Sequence, residues 1–206
     1  MNRRIFLLTT VAAATDPIGQ ALAQLDTASP VRSGDPNFDA WASGFFARAV
    51  AAGWPADLVR REMTGLTPDD RVVAADRKQP EFSRGVGAYL NSAASDDRAI
   101  AARARKGQVQ TWLARIERTY GVPGDILVAI WSVESGFGQV QGDYDAVRSL
   151  ATLAADGRRR EWAESQLFAA LRIISTNEAQ RSQLRGSWAG AMGQTQFEPD
   201  TYLTTA

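Results

Sequence analysis

A stretch that is apolar on nearly every side has to be covered, and Gly124 to Glu134 is one: Ile126, Leu127, Val128, Ile130 and Val133 leave little polar face. Pro123 opens the stretch and Gly136 breaks it, so it predicts a helix buried around most of its circumference. The periodicity elsewhere is helical as well. Phe38, Trp41, Phe45 and Ala49 recur at three and four residues and stop at Gly53, which predicts a first amphipathic helix. A short helix is expected over Ala56 to Met63, and Thr67-Pro68 reads as the N-cap and first residue of a segment reaching Lys78. Val109, Trp112, Leu113, Ile116 and Tyr120 mark a helix closed by Gly121, and Trp162, Leu167, Leu171 and Ile174 mark another over Arg160 to Ile174. No stretch alternates apolar and polar residues as a half-buried strand does. The expected fold class is mainly α, in one domain running from Phe38 to the end.

Residues 1–23 have the layout of an export signal: Asn2-Arg3-Arg4, an apolar run from Ile5 to Ala14, and Ala21-Leu22-Ala23 as a small-residue cleavage site before Gln24. The run is too short to anchor the chain stably in a bilayer. Arg3-Arg4-Ile5-Phe6-Leu7-Leu8 also suits the twin-arginine route, and a periplasmic location is expected by either path. Residues 24–37 turn to Asp, Ser, Pro and Gly, which predicts a flexible leader. Lys and Arg together number 23, as do Asp and Glu. That balance offers no basic surface to a nucleic acid.

The chain has no histidine and no cysteine. Imidazole catalysis, a thiolate nucleophile, a histidine-held or cysteine-held metal and a disulfide are therefore excluded, and no cofactor or metal is expected. Carboxylates remain as acid/base groups. Glu134 is the one carboxylate at the end of the apolar run, where desolvation would lift its pKa above about 4.3 and let it hold a proton as a general acid. The alternative is a glutamate that ends a helix in solvent. Asp143 and Asp145 nearby read as loop or helix-cap residues. Gly186-Ser187-Trp188-Ala189-Gly190-Ala191-Met192-Gly193-Gln194-Thr195-Gln196-Phe197-Glu198-Pro199 is the second informative segment. Its small residues permit either tight helix packing or a close backbone approach to a ligand. Aromatic Trp188 and Phe197 between the amides and hydroxyl of Gln194, Gln196 and Ser187 suit a sugar, by stacking and hydrogen bonding.

These two segments together resemble the lytic murein transglycosylase B family, with its Glu-Ser-x-x-Gly motif followed by Gly-Ser-aromatic-Ala-Gly-Ala-Met-Gly-x-x-Gln-Phe-x-Pro. Asp76-Arg77-Lys78-Gln79-Pro80-Glu81-Phe82, Tyr89 and Tyr120-Gly121-Val122-Pro123 also look like that family, so the resemblance extends from about Phe38 onward. It implies a lysozyme-like helical fold with a groove for the glycan strands of peptidoglycan, and it places Glu134 on the family's single catalytic acid. The implied reaction cleaves the bond between N-acetylmuramic acid and N-acetylglucosamine with formation of a 1,6-anhydro ring. One carboxylate then serves, where glycoside hydrolysis uses a pair.

The resemblance also puts Ser187 and Gln196 in the groove and makes Tyr89 a sugar contact, with an amphipathic core position as the alternative for Tyr89. Arg158 and Arg159 match a basic pair that could meet stem-peptide carboxylates, or they face solvent at a helix start. Glu198 departs from the family, standing where an apolar residue is usual. Family members continue past the Gln-Phe-x-Pro segment with further groove residues, so a C-terminally incomplete domain, lacking one wall and leaving Trp188, Met192 and Phe197 uncovered, is expected. Two other functions remain open at this point: a non-catalytic peptidoglycan-binding or scaffold protein, and a lysozyme-type hydrolase in which water attacks.

Overall fold

In the computed structural model, residues 31–78 and 85–205 are described. The export signal, residues 24–30 of the leader and residues 79–84 of the upstream motif lie outside them. Helix α1 runs Pro36–Ala51 and begins on Asp35, whose carboxylate accepts hydrogen bonds from the backbone N–H of Asn37 (2.8 Å) and Phe38 (3.0 Å). Ser33 donates its hydroxyl to Asp39 at 2.6 Å, and Val31 is buried. The helix thus starts two residues before Phe38, and the end of the expected flexible leader is folded against the domain. Ser, Asp and Pro are abundant there because they build a helix start, a composition shared with solvated linkers. Replacing Asp35 with Ala is expected to cost about 1 kcal/mol, read as a lowered urea midpoint at unchanged slope.

Helix α2 covers Ala56–Met63 as expected, and α3 covers Asp70–Lys78. The carboxylate of Asp69, and not Thr67, receives a free N–H at the start of α3, that of Arg71 at 3.0 Å. Next come α4 (Val86–Ala93), α5 (Asp96–Gln108), α6 (Gln110–Tyr120) and α7 (Gly124–Ser135). Then α8 (Ala146–Asp156), α9 (Arg160–Ser175) and the short α10 (Pro199–Thr205) complete the helices. Two two-residue strands, β1 (Tyr144–Asp145) and β2 (Arg185–Gly186), pair antiparallel with Tyr144 opposite Gly186. They are too short to leave an alternating signature.

The core is organised around α8, a helix that periodicity did not single out. Ala146, Val147, Leu150, Ala151, Leu153 and Ala154 are all buried, and α8 packs on α9, α1 and α3. Its cap residues were visible: Asp145 accepts the N–H of Arg148 at 3.1 Å, and Gly157 closes the helix at φ +91°. Alanine on several sides lets neighbours approach closely and erases the amphipathic stripe. Beside it, Trp41, Phe45, Phe168 and Trp54 form a chain of ring contacts with centroids 5.4, 4.9 and 5.6 Å apart.

The expectation of a buried α7 does not hold. Only Gly124, Val128, Ser132 and Ser135 are buried, while Ile126, Ile130 and Val133 are 52%, 48% and 42% exposed. The helix lies at the margin, covered along one side by α5 and α6, so its apolar run has one packed face. Helix α6 is similar, with Leu113 buried and Trp112 and Tyr120 exposed. Periodicity identifies a helix; it does not say how many neighbours the helix has.

Candidate functional site

Glu134 stands in the last turn of α7 and is exposed, so the desolvation expected around it is not present. What surrounds it is a tightly tied helix end. Gly136 takes the left-handed conformation (φ +55°) and closes the helix. From α5, Arg98 donates to the carbonyl of Ser132 at 2.8 Å, a cation at a helix C-terminus, where the dipole favours it. The hydroxyl of Ser135 donates to the carbonyl of Gln194 at 2.7 Å and accepts the N–H of Gly138 at 3.0 Å. The indole of Trp131 donates to the side-chain oxygen of Gln194 at 2.8 Å and meets Phe137 edge-on, with centroids 5.4 Å apart. These bonds bring the 186–197 segment against the helix end that carries Glu134.

That segment folds back on itself. Gly186 bridges to Met192, and Met192 to Phe197. The hydroxyl of Ser187 accepts the N–H groups of Ala189 (3.3 Å) and Ala191 (3.1 Å), and the amide of Gln196 donates to the carbonyls of Gln141 (3.0 Å) and Gly193 (2.8 Å). Both predicted groove residues therefore shape the loop through its backbone. Gln196 sits at φ +49°, a conformation uncommon outside glycine. Gly186 is a steric necessity, because a Cβ there would collide with the Ala191 carbonyl, and in the turn after α7 a Cβ on Gly138 would come within 2.7 Å of the Gln194 side chain. Trp188 and Met192 are not left uncovered as expected, because they pack against the main core. A cleft of about 480 Å³ between α5 and the turn after Glu134 is lined by Arg98, Ala101, Arg105, Ser132 and Phe137. The roomier cavity of about 680 Å³ lies near Trp41, Asp70 and Arg160, and none of the predicted site residues lines it.

Tyr89 lies on α4 and is 51% exposed, which removes the core reading for it. Arg158 and Arg159 are not simply solvated: both face a buried carboxylate while keeping part of each side chain exposed. Arg158 lies 3.1 Å from the carboxylate of Asp76 and Arg159 lies 3.9 Å from it, while Arg159 also stacks on Trp162 at 3.7 Å. Asp76 is only 1% exposed, and its oxygens accept no well-aligned hydrogen bond from the two guanidinium groups. A buried carboxylate without that cationic pair would be strongly unfavourable. The sequence signal was present, since Asp76 belongs to the upstream motif, but nothing in it joined residue 76 to residue 158.

Glu198 also faces this cluster. Burial pushes its carboxyl above the usual range and nearby Asp200 adds to this, against Arg159 and a hydrogen bond with Trp162. A carboxyl whose pKa is higher folded than unfolded binds more protons in the folded state, so stability falls as pH rises from the ordinary carboxylate value to the raised one. Glu198→Gln is expected to raise the urea midpoint at pH 7 and to flatten its decline above about pH 4.5. A pH series of midpoints for the two proteins checks it.

Residues 37–206 match the family described as Transglycosylase SLT domain. The chain belongs to this family. Membrane-bound lytic murein transglycosylase B of Escherichia coli (strain K12) is 38% identical over 96 residues, which is 46% of this chain and 27% of that protein. Among solved structures, SltB3 of Pseudomonas aeruginosa in complex with NAG-anhNAM-pentapeptide is 44% identical with a TM-score of 0.78, covering 84% of this chain and 46% of SltB3. Escherichia coli Slt35 in complex with bulgecin A is 28% identical with a TM-score of 0.72, over 84% of this chain and 55% of Slt35. This family chain spans about half the length of those two structures and about a quarter of the curated relative. The mainly α, lysozyme-like fold expected from the motifs is the fold of these transglycosylases.

Proposed function

We propose that this chain is a peptidoglycan lytic transglycosylase that cleaves the β-1,4 bond between N-acetylmuramic acid and N-acetylglucosamine, with Glu134 as acid and then base. The observation that carries this reading is the family's Glu-Ser motif at the end of α7, tied by Ser135 and Trp131 to the Gly-Ser-Trp-Ala-Gly-Ala-Met-Gly segment. SltB3 has been solved with NAG-NAM-pentapeptide and with NAG-anhNAM-pentapeptide.

Glu134 in its protonated form gives its proton to the glycosidic oxygen as that bond breaks. The carboxylate then accepts the proton of the muramoyl 6-hydroxyl as its oxygen bonds to the anomeric carbon. One group suffices because the nucleophile belongs to the substrate. Exposure of Glu134 in the free protein is compatible with this sequence, since a glycan seated over the helix end would itself exclude water. Ser187 and Gln196 hold the loop that forms one side of the groove, and Tyr89 offers an exposed ring for a sugar face. Arg158 and Arg159 pair with Asp76, and their exposed guanidinium surface is what a stem-peptide carboxylate would meet.

Residues 1–23 are proposed as an export signal to the periplasm. Among the described residues no helix is long and apolar enough to cross a membrane.

Incubation with purified sacculi tests the function against a purely binding role. Soluble muropeptides are expected to accumulate with time, at a rate unchanged by chelator, because the proposed chemistry uses only a carboxyl group. Sacculi that bind the protein and release nothing would contradict it.

A further inference from the structure

The geometry points to Gln194 as a positioning residue for Glu134: its side chain and carbonyl fasten the 186–197 loop to the two residues, Trp131 and Ser135, that flank the acid on α7. This rests on the function proposed above and adds to it a residue that the family motif leaves variable.

Three observations converge on Gln194. Its side-chain oxygen accepts the Trp131 indole N–H at 2.8 Å, across 63 residues of sequence. Its backbone carbonyl accepts the Ser135 hydroxyl at 2.7 Å. The amide group lies so close to Gly138 that any side chain there would press on it. Trp131 and Ser135 are one helical turn apart, so Gln194 grips both ends of the turn that holds Glu134. Arg98 fixes the same turn from α5 through the Ser132 carbonyl. The turn is therefore held between two elements, α5 and the loop, and the direction of the Glu134 carboxyl depends on both. A displacement near 1 Å in a proton-transfer group can cost about two orders of magnitude in rate. One lost clamp on an exposed turn, with Ser135 still bonded, is expected to cost about tenfold.

The test measures kcat and KM on a soluble glycan fragment for wild type, Gln194→Leu, Gln194→Glu, Trp131→Phe and the Gln194→Leu/Trp131→Phe double variant, each at its optimum pH. Gln194→Leu keeps the volume and removes the acceptor, Trp131→Phe removes the donor, and Gln194→Glu keeps an acceptor for the indole. The expected result is a fall of about tenfold in kcat for Gln194→Leu and for Trp131→Phe, with KM within twofold of wild type. The double variant should be no slower than either single one, because both remove the same bond, and Gln194→Glu should recover most of the rate. Near-wild-type kcat in both single variants, losses that multiply in the double variant, or a failure of Gln194→Glu to recover activity would each overturn the inference while an active wild type leaves the function standing. A wild-type chain that releases no anhydro product would overturn the function, and the inference with it.

Discussion

Glu134→Gln is expected to reduce sacculus digestion by at least two to four orders of magnitude, the contribution typical of a positioned general acid. The carboxamide has the same shape as the carboxyl group but can neither deliver a proton to the glycosidic oxygen nor take one from the 6-hydroxyl. Both halves of the reaction use this one group, so neither proton transfer survives the substitution. Because Glu134 is exposed, the substitution removes no packing, and the urea midpoint should move by less than about 0.5 kcal/mol equivalent. A folded Glu134→Gln protein that digests sacculi at the wild-type rate would remove Glu134 from the reaction.

The second large effect is structural. Gly186 is buried at the end of β2, and a Cβ there would run into the carbonyl of Ala191. That carbonyl is already fixed, accepting the N–H of Ser187 at 2.7 Å. Relief would require backbone movement in the very loop that presents Ser187, Gln194 and Gln196. Gly186→Ala is therefore expected to destabilise the protein by about 2–3 kcal/mol, at the upper end for added volume in a packed site, and to lower digestion more than tenfold. Urea unfolding and sacculus assays check the two parts. A wild-type midpoint would mean that the loop can yield where the packing says it cannot.

Six of the ten α-helices among the described residues were legible because apolar spacing and stop signals are local, whereas α4, α5, α8 and α10 were not singled out. Ala56–Met63 appears as read, and Gly121 and Gly136 close their helices in the left-handed conformation that glycine favours. What sequence could not supply was the set of neighbours. The apolar run of α7 suggested burial around most of its circumference, yet it lies at a margin with Ile126 and Ile130 open to solvent. The alanine-rich α8, with little amphipathic contrast, turned out to be the centre of the core. In the site, the motifs located Glu134 and the 186–199 segment, since each is continuous in sequence. The partners that join them, Trp131 with Gln194 and Ser135 with the Gln194 carbonyl, are separated by 63 and 59 residues and carry no local signal. The same holds for Arg158 and Asp76, 82 residues apart. There the basic pair also balances a buried carboxylate, a partner no local signal announced.

The most direct test of the central claim is digestion of sacculi in ¹⁸O-labelled water, followed by mass spectrometry of the released muropeptides. Attack by the muramoyl 6-hydroxyl closes a ring inside the sugar and takes no oxygen from solvent. The expected products end in 1,6-anhydromuramic acid, lack ¹⁸O, and weigh one water less than the corresponding reducing sugars. Muramoyl ends that are reducing and carry ¹⁸O would show that water is the nucleophile, and would contradict the assignment of this chain as a lytic transglycosylase.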